Sequence, residues 1–225
     1  MKPRTANPLV AVVGGSGAGK TWLADHLQTA VGNGVGRLSL DDFYRDRSHL
    51  SPSQRQKINY DHPRAIDWPL FEKSLKACRA GRSIPVPRYD FTTHTRLPGR
   101  QTFHPKPLNI VEGLWLLLRP SVRSLFALRI FIDCSVRMRL ARRLARDAAE
   151  RGRSRESVRK QFWETVAPMH ERYVAPQRRW AHVVVEGPPA PDRVPIARGW
   201  TGPLATVVGR PKVRVGTAAC LADQA

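Results

Sequence analysis

Apolar and polar residues come in blocks along this chain, and the blocks predict an α/β domain. The run Leu9-Val10-Ala11-Val12-Val13, set between Pro8 and a glycine, reads as a buried strand. The segment Trp22 to Leu27 places leucines four apart at 23 and 27 and reads as the opening turns of a helix. Further strands are expected over Val35 to Leu40, Leu108 to Gly113, Leu128 to Ile132 and Val183 to Val185. Helices are expected between them. Ser51-Pro52 starts a short one. Asp67 or Trp68 caps another, with Pro69 near its start and Leu70, Phe71, Leu75 and Cys78 inward. Ser135 caps a third, whose stripe Val136, Leu140 and Leu144 faces the core. The stretch 156–173 is helical, with Val158, Phe162 and Val166 inward and a break at Pro168.

Two regions differ in texture. Residues 82–103 alternate short β-type runs with prolines, which forbid a central strand and predict a hairpin outside the main sheet. From 187 to 225 the chain is rich in Pro, Gly and Val; Val207-Val208 and Val213 to Val215 could pair as short strands, and the rest reads as loop. The organisation expected is one α/β domain over 1–186, carrying the 82–103 hairpin and a basic segment at 142–160, followed by a tail without an assigned role.

Composition narrows the class. A chain of 225 residues suits one domain with a substantial core. No run approaches the ~18 apolar residues of a membrane span, and the longest, Leu114 to Leu118, reads as strand or turn. Met1 to Pro8 lacks an apolar signal region. Cys78, Cys134 and Cys220 show no metal spacing and suit reduced thiols in the cytoplasm. Thirty-eight Lys+Arg against 18 Asp+Glu give a net charge of +20. That admits a nucleic-acid partner or anionic small molecules; dispersed arginine favours the second.

The chemistry starts between the first strand and helix, at Gly14-Gly15-Ser16-Gly17-Ala18-Gly19-Lys20-Thr21. Strand, G-x-x-x-x-G-K-[ST], helix is the full context of a phosphate-binding loop. Glycines let the backbone wrap an anion with its N–H groups inward, and the helix N-terminus adds partial positive charge. Lys20 brings a full charge to the β/γ-phosphates, and the Thr21 hydroxyl is placed for Mg²⁺. Asp41 and Asp42 end the second strand at the same sheet edge, where open α/β sheets hold ligands; a helix cap or turn pair is the alternative, and their position favours function. Glu112 ends the third strand, a carboxylate that needs a cation there. Arg139, Arg143 and Arg146 share a helix face, and Glu150-Arg151-Gly152-Arg153-Ser154 follows. This is either a solvated basic face or a hinged lid that closes guanidinium groups on phosphates; the phosphate loop favours the lid.

Several spaced segments resemble the uridine kinase (uridine–cytidine kinase) family of P-loop nucleoside kinases: GGSGAGKT at 14–21, LSLDDFYR at 38–45, YDHPRAIDW at 60–68, PRYDFTTHTR at 87–96, IVEG at 110–113, RRLARDAAERGRS at 142–154, and Gln161. The resemblance covers about 9–186. It implies a P-loop NTPase fold with a parallel five-stranded sheet flanked by helices, a β-hairpin substrate lobe and a helical Arg-rich lid. It implies transfer of the ATP γ-phosphate to the 5′-hydroxyl of uridine or cytidine. Asp41 would be the base; Tyr44, Asp61, Tyr89, His94, Arg143, Arg153 and Gln161 would line the nucleoside site. Arg146 and Arg151 would close on ATP phosphates, and Thr21 and Glu112, with Asp41, would hold Mg²⁺. Family members often form homo-oligomers. The chain departs from the family pattern at Trp22, where a small residue is usual, and at Trp180-Ala181-His182. Another small-molecule kinase on this scaffold (for nicotinamide riboside, pantothenate or a sugar phosphate) and a nucleic-acid-binding P-loop protein without kinase activity are the competing readings.

Overall fold

A computed structural model describes residues 7–187, apart from the side chains of residues 150 and 151. The expected strands in the tail lie outside the described residues. Strands β1 (Leu9–Gly14), β2 (Val35–Ser39), β5 (Leu108–Gly113), β6 (Leu128–Asp133) and β7 (Val183–Glu186) form one sheet in the order β2-β5-β1-β6-β7. Every pairing in it is parallel. A central parallel strand is covered on both faces, so it reads as an unbroken apolar run rather than an alternation. β1 shows this directly. Leu9, Ala11 and Val13 enter a core with Phe43, Phe71, Trp115 and Phe131. Val10 and Val12 enter the opposite core, with Leu23, Leu27, Ile110 and Ile130.

Helix α1 (Lys20–Val31) follows β1, the short α2 (Pro52–Gln56) is capped by Ser51, and α3 (Trp68–Arg79) is capped by the Asp67 side chain accepting from Leu70 N–H. Phe71, Leu75 and Cys78 of α3 are buried as expected, and Leu70 packs at the core's margin. β3 (Ile84–Asp90) and β4 (Thr95–Phe103) pair antiparallel as a separate two-stranded sheet. Leu114 to Leu118 is a turn whose Trp115, Leu116 and Leu117 are fully buried. The short α4 (Pro120–Arg123) leads to β6. No helix among the described residues is long and apolar enough to cross a membrane.

The largest departure lies in α5 (Val136–Arg151). The expected apolar stripe is not the buried one: Val136 is 40% exposed and Leu140 half-buried, leaving only Leu144 covered. Arg139, Arg143 and Asp147 are buried instead, at 2%, 4% and 0% exposure. The reason is what the helix packs on. Its inner face meets the phosphate loop, not the apolar core, so the spacing i, i+4, i+8 selects polar residues. Beyond α6 (Arg155–Gln161), the expected break at Pro168 does not occur. Two π-helical turns, Phe162–Val166 and His170–Val174, bracket α7 (Ala167–Met169) and carry the helix past the proline. Val158, Phe162 and Val166 are buried as expected.

Candidate active site

β1 ends at Gly14, and α1 begins at Lys20, so residues 15–19 form a loop at the sheet's C-terminal edge. Gly17 and Gly19 have φ of +79° and +98°, a region that side chains disfavour. Glycine at 17 is also required by space: a methyl group there would lie 2.5 Å from the carbonyl oxygen of Arg139. Lys20 Nζ donates to the Gly15 carbonyl at 3.1 Å. Burial holds its ammonium below the usual lysine range, while Glu112 and Asp41 pull the other way. Thr21 Oγ1 donates to Glu112 Oε1 at 3.3 Å, and Arg37 meets the same oxygen at 3.3 Å. A hydroxyl beside a carboxylate at the mouth of a glycine cradle is an all-oxygen donor pair that fits Mg²⁺, which keeps waters and phosphate oxygens as its other ligands.

Asp41 and Asp42 lie on a 3₁₀ turn, Leu40–Phe43, that Ser39 caps by accepting from Asp41 N–H at 3.2 Å. Leu40 and Phe43 are fully buried and fix the turn. A methyl group at Gly113 would lie 2.5 Å from Leu40 Cβ, so β5 must end in glycine to admit the turn. Burial, then repulsion from Asp41 and Glu112, pushes the Asp42 carboxyl up from 3.8 to about 6. Between those values the folded chain binds more protons than the unfolded chain, so Asp42's contribution to stability falls as pH rises from about 4 to 6. Above pH 6 its charge costs about 2–3 kcal/mol. Asp42→Asn is therefore expected to raise the thermal midpoint by several degrees at pH 7.5. The gain should shrink by about half or more between pH 6.5 and 4.5. A gain of equal size at both pH values, or a loss at pH 7.5, counts against this origin.

The loop and the acidic turn face one open cleft. Ser16, Asp41, Arg143 and Arg146 line one end. Tyr44, Asp61, Tyr89 and His94 line the other, and Arg153 and Gln161 border it. All seven residues expected in a nucleoside site are thus placed around the same cleft. Phe91, one of the hairpin aromatics able to line a pocket, also borders it, as do Tyr60 and Leu114, which were not anticipated. The sequence signal for those two is adjacency to the Asp61-His62-Pro63 segment and to Gly113.

The aromatic end is closely packed. The Tyr60 and His94 rings stack at 4.0 Å and 9°. Tyr44 packs on Tyr89 with centroids 5.0 Å apart, and its hydroxyl donates to the Tyr60 carbonyl at 3.1 Å. Burial raises the Tyr89 phenol, keeping it a neutral O–H. His94 has φ +57°, the one non-glycine positive φ among the described residues. Such strain persists only where neighbours hold it. Here the hairpin is tied down by Arg96, whose Nε–H donates to the Tyr44 carbonyl at 2.9 Å and whose NH2 meets Asp67 at 3.3 Å.

At the basic end, Arg143 donates to Ser16 Oγ at 2.9 Å and to Gln161 Oε1 at 3.2 Å. Arg153 donates to the same Gln161 oxygen at 2.7 Å. Asp147, fully buried, pairs with Arg143 at 3.3 Å and Arg146 at 2.7 Å. This carboxylate holds two arginines in place and was not anticipated, although its i, i+4 spacing from Arg143 was a usable signal. The Arg151 side chain lies outside the described residues. Gly152, in the left-handed region at φ +59°, ends α5 between them. Trp22 is 44% exposed and stacks on His26 at 5.3 Å, so it does not crowd α1. His182 accepts from Arg129 Nε–H at 3.1 Å.

The model of the phosphoribulokinase/uridine kinase family matches residues 9–192. A uridine kinase of Deinococcus deserti is 42% identical over 178 residues, 79% of this chain and 86% of that protein. One from Chloroflexus aurantiacus is 40% identical over 180 residues, 80% of this chain and 86% of that protein. Among solved structures, phosphoribulokinase from Rhodobacter spheroides superposes with a TM-score of 0.62 at 17% identity, covering 90% of this chain and 85% of its own. A possible uridine kinase from Bacillus stearothermophilus does so with a TM-score of 0.55 at 19% identity, covering 81% and 90%. The two structures share the fold; the sequence matches, over four-fifths of the chain, show that it belongs to the phosphoribulokinase/uridine kinase family.

Proposed function

We propose that this chain transfers the γ-phosphoryl group of ATP to the 5′-hydroxyl of uridine or cytidine. The observation that carries this reading is one cleft lined by Ser16 of the phosphate loop, by Asp41 and by the aromatic cluster of Tyr44, Tyr60 and Tyr89. Uridine kinases about 40% identical support the choice of acceptor. Phosphoryl transfer needs alignment and charge neutralisation more than covalent help from the protein. Asp41 takes the proton of the attacking hydroxyl. Lys20 and Arg146 face the charge on the transferred group, and Arg151 joins them from the end of α5. Asp61 grips the ribose hydroxyls, a contact that favours ribose over deoxyribose. Tyr89 packs on the base, and His94 hydrogen-bonds its pyrimidine edge. Arg143, Arg153 and Gln161 close the sugar side. Thr21 and Glu112, with Asp41 nearby, would hold Mg²⁺, which when bound neutralises the β- and γ-phosphate oxygens. The hairpin 82–103 serves as the substrate lobe and 142–160 as the lid within the 1–186 domain. The cytoplasm, where ATP is made and buried thiols such as Cys78 and Cys134 stay reduced, is the fitting compartment.

A phosphorylation screen of nucleosides against nucleotide donors tests the assignment. Uridine or cytidine should yield its monophosphate with ATP and Mg²⁺, and pantothenate and sugar phosphates should be inert. Turnover of either of those with uridine inert overturns it.

His94 offers a sharper check on the acceptor end. His94→Ala removes a stacked ring and a hydrogen-bonding edge, worth about 1–3 kcal/mol where the partner is left unpaired. KM for pyrimidine nucleosides should rise ~10-fold or more, with KM for ATP changed less than ~2-fold. His94→Asn, which tolerates the left-handed backbone, separates ring loss from strain. Equal changes in both KM values would place His94 outside the acceptor site.

A further inference from the structure

Against Gly15 of the phosphate loop, two buried nitrogen atoms converge on one point; His170 also borders a small pocket with Ser16 and Asp61. A methyl group added at Gly15 would lie 2.8 Å from His170 Nδ1, 2.8 Å from Arg139 Cδ and 3.0 Å from Arg139 NH1. Neither nitrogen has a hydrogen-bond partner. Arg139 is 2% exposed, so its NH1 cannot turn to bulk water. An unpaired buried guanidinium N–H is costly, and a protein that keeps one at a glycine of the phosphate loop needs another reason for it.

The surrounding contacts show what the pair acts on. Arg139 Nε–H donates to the Cys134 carbonyl at 3.2 Å, which folds the side chain back toward the end of β6. The Phe162 ring lies 5.8 Å from its guanidinium carbon. His170 comes from the second π-helical turn, a distortion often found at functional positions. Burial, with Arg139 and Lys20 nearby, pushes the His170 imidazole down to about 4, so near neutrality it is uncharged. With its proton on Nε2, Nδ1 is an acceptor facing the Arg139 donor. Both flank Gly15, whose carbonyl holds Lys20 Nζ and whose neighbour Ser16 lines the cleft with Asp41. This is the acceptor-facing end of the loop, where a terminal phosphoryl group must sit for transfer.

We propose that Arg139 and His170 are positioning residues that fix the Gly15–Ser16 end of the phosphate loop in the conformation required by the terminal phosphate of a nucleoside triphosphate. They act through the loop and touch neither the nucleotide nor the acceptor. The inference rests on the ATP-dependent reading of the site, and on no particular acceptor. It makes Gly15 obligatory for space, and it ties the π-helical segment to the reaction.

Calorimetric binding of AMP-PNP and of ADP, each with Mg²⁺, tests it without any acceptor present. His170→Phe keeps the volume and loses Nδ1; His170→Asn restores a polar atom near the same place. His170→Phe should weaken AMP-PNP ~10-fold while ADP changes less than ~2-fold, since only the terminal-phosphate end of the loop is disturbed. His170→Asn should recover most of the loss. Arg139→Met should repeat the selective loss, and the double variant should be no worse than the weaker single variant, as expected for residues acting as one unit. If Arg139→Met does not fold, the two His170 variants decide alone. Equal weakening of both nucleotides alongside a lower thermal midpoint, or no change in either, overturns the proposal. Absence of uridine turnover by the wild-type protein would instead count against the function proposed above and leaves this measurement intact.

Discussion

Asp41→Asn should lower kcat for uridine phosphorylation at least ~10²-fold and leave ATP binding within ~3-fold of the wild-type value. The magnitude is that of a positioned general base, typically ~10²–10⁴ in rate, or about 3–5 kcal/mol of barrier. Asparagine keeps the shape and the backbone bond to Ser39 Oγ but cannot take a proton. The turn should survive the change, because Leu40 and Phe43, not Asp41, anchor it in the core. Nucleotide affinity should survive because the loop's fixed elements, Gly17, Gly19 and Lys20, stand on other residues. Steady-state kinetics with uridine, paired with calorimetric titration of AMP-PNP, separates the two effects. Near-normal turnover would move the base elsewhere, with Asp42 the nearest carboxylate to examine. A parallel loss of nucleotide affinity would mean that Asp41 serves the metal–phosphate end rather than the acceptor.

Much of the architecture could be read from residue order because it rests on local signals. β1 is apolar on both faces because a central parallel strand is covered on both, and a pattern of that kind survives without a structure. The hairpin separated from the sheet because Pro85, Pro87 and Pro98 cannot donate to a central ladder. The α5 face was not legible. Counting apolar residues picks Val136, Leu140 and Leu144, yet the helix rests on a glycine loop. There a guanidinium can lie flat and a backbone carbonyl can approach within contact of Gly17. The same limit applies at Pro168. Its missing N–H would end an ordinary helix, but π turns on both sides reroute the backbone bonds, and tertiary packing of Phe162 and Val174 selects that path. Tyr60 reached the cleft by stacking on His94, a residue far away in sequence, which no linear pattern encodes.

Two glycines with similar φ separate backbone strain from the contact between α5 and the loop. Gly17 has φ +79° and Gly32 has φ +80°. Gly32 has ψ −152°, a region almost confined to glycine, and an alanine methyl there meets nothing within 4 Å, so Gly32→Ala should cost about 1–3 kcal/mol from backbone strain alone. The same change at Gly17 is also strained by its positive φ, and it brings the methyl 2.5 Å from the Arg139 carbonyl oxygen and 3.2 Å from its carbon and Cα. Those are backbone atoms of a helix, and the helix cannot simply retreat. Arg142 NH1 donates to the Ala18 carbonyl at 3.3 Å, and Arg143 NH1 to Ser16 Oγ at 2.9 Å. Either the loop opens or α5 shifts, and both spoil the cradle. Gly17→Ala should therefore weaken AMP-PNP binding ~10²-fold or more and lower the thermal midpoint by several degrees. Gly32→Ala itself should leave AMP-PNP affinity within ~2-fold of the wild-type value, since residues 32–34 form a 3₁₀ turn at the far end of α1. If both variants keep nucleotide affinity, the close seating of α5 on the loop is not a constraint on nucleotide binding. Arg143, Arg146 and Arg153 would then have to be positioned by the Asp147 and Gln161 contacts alone.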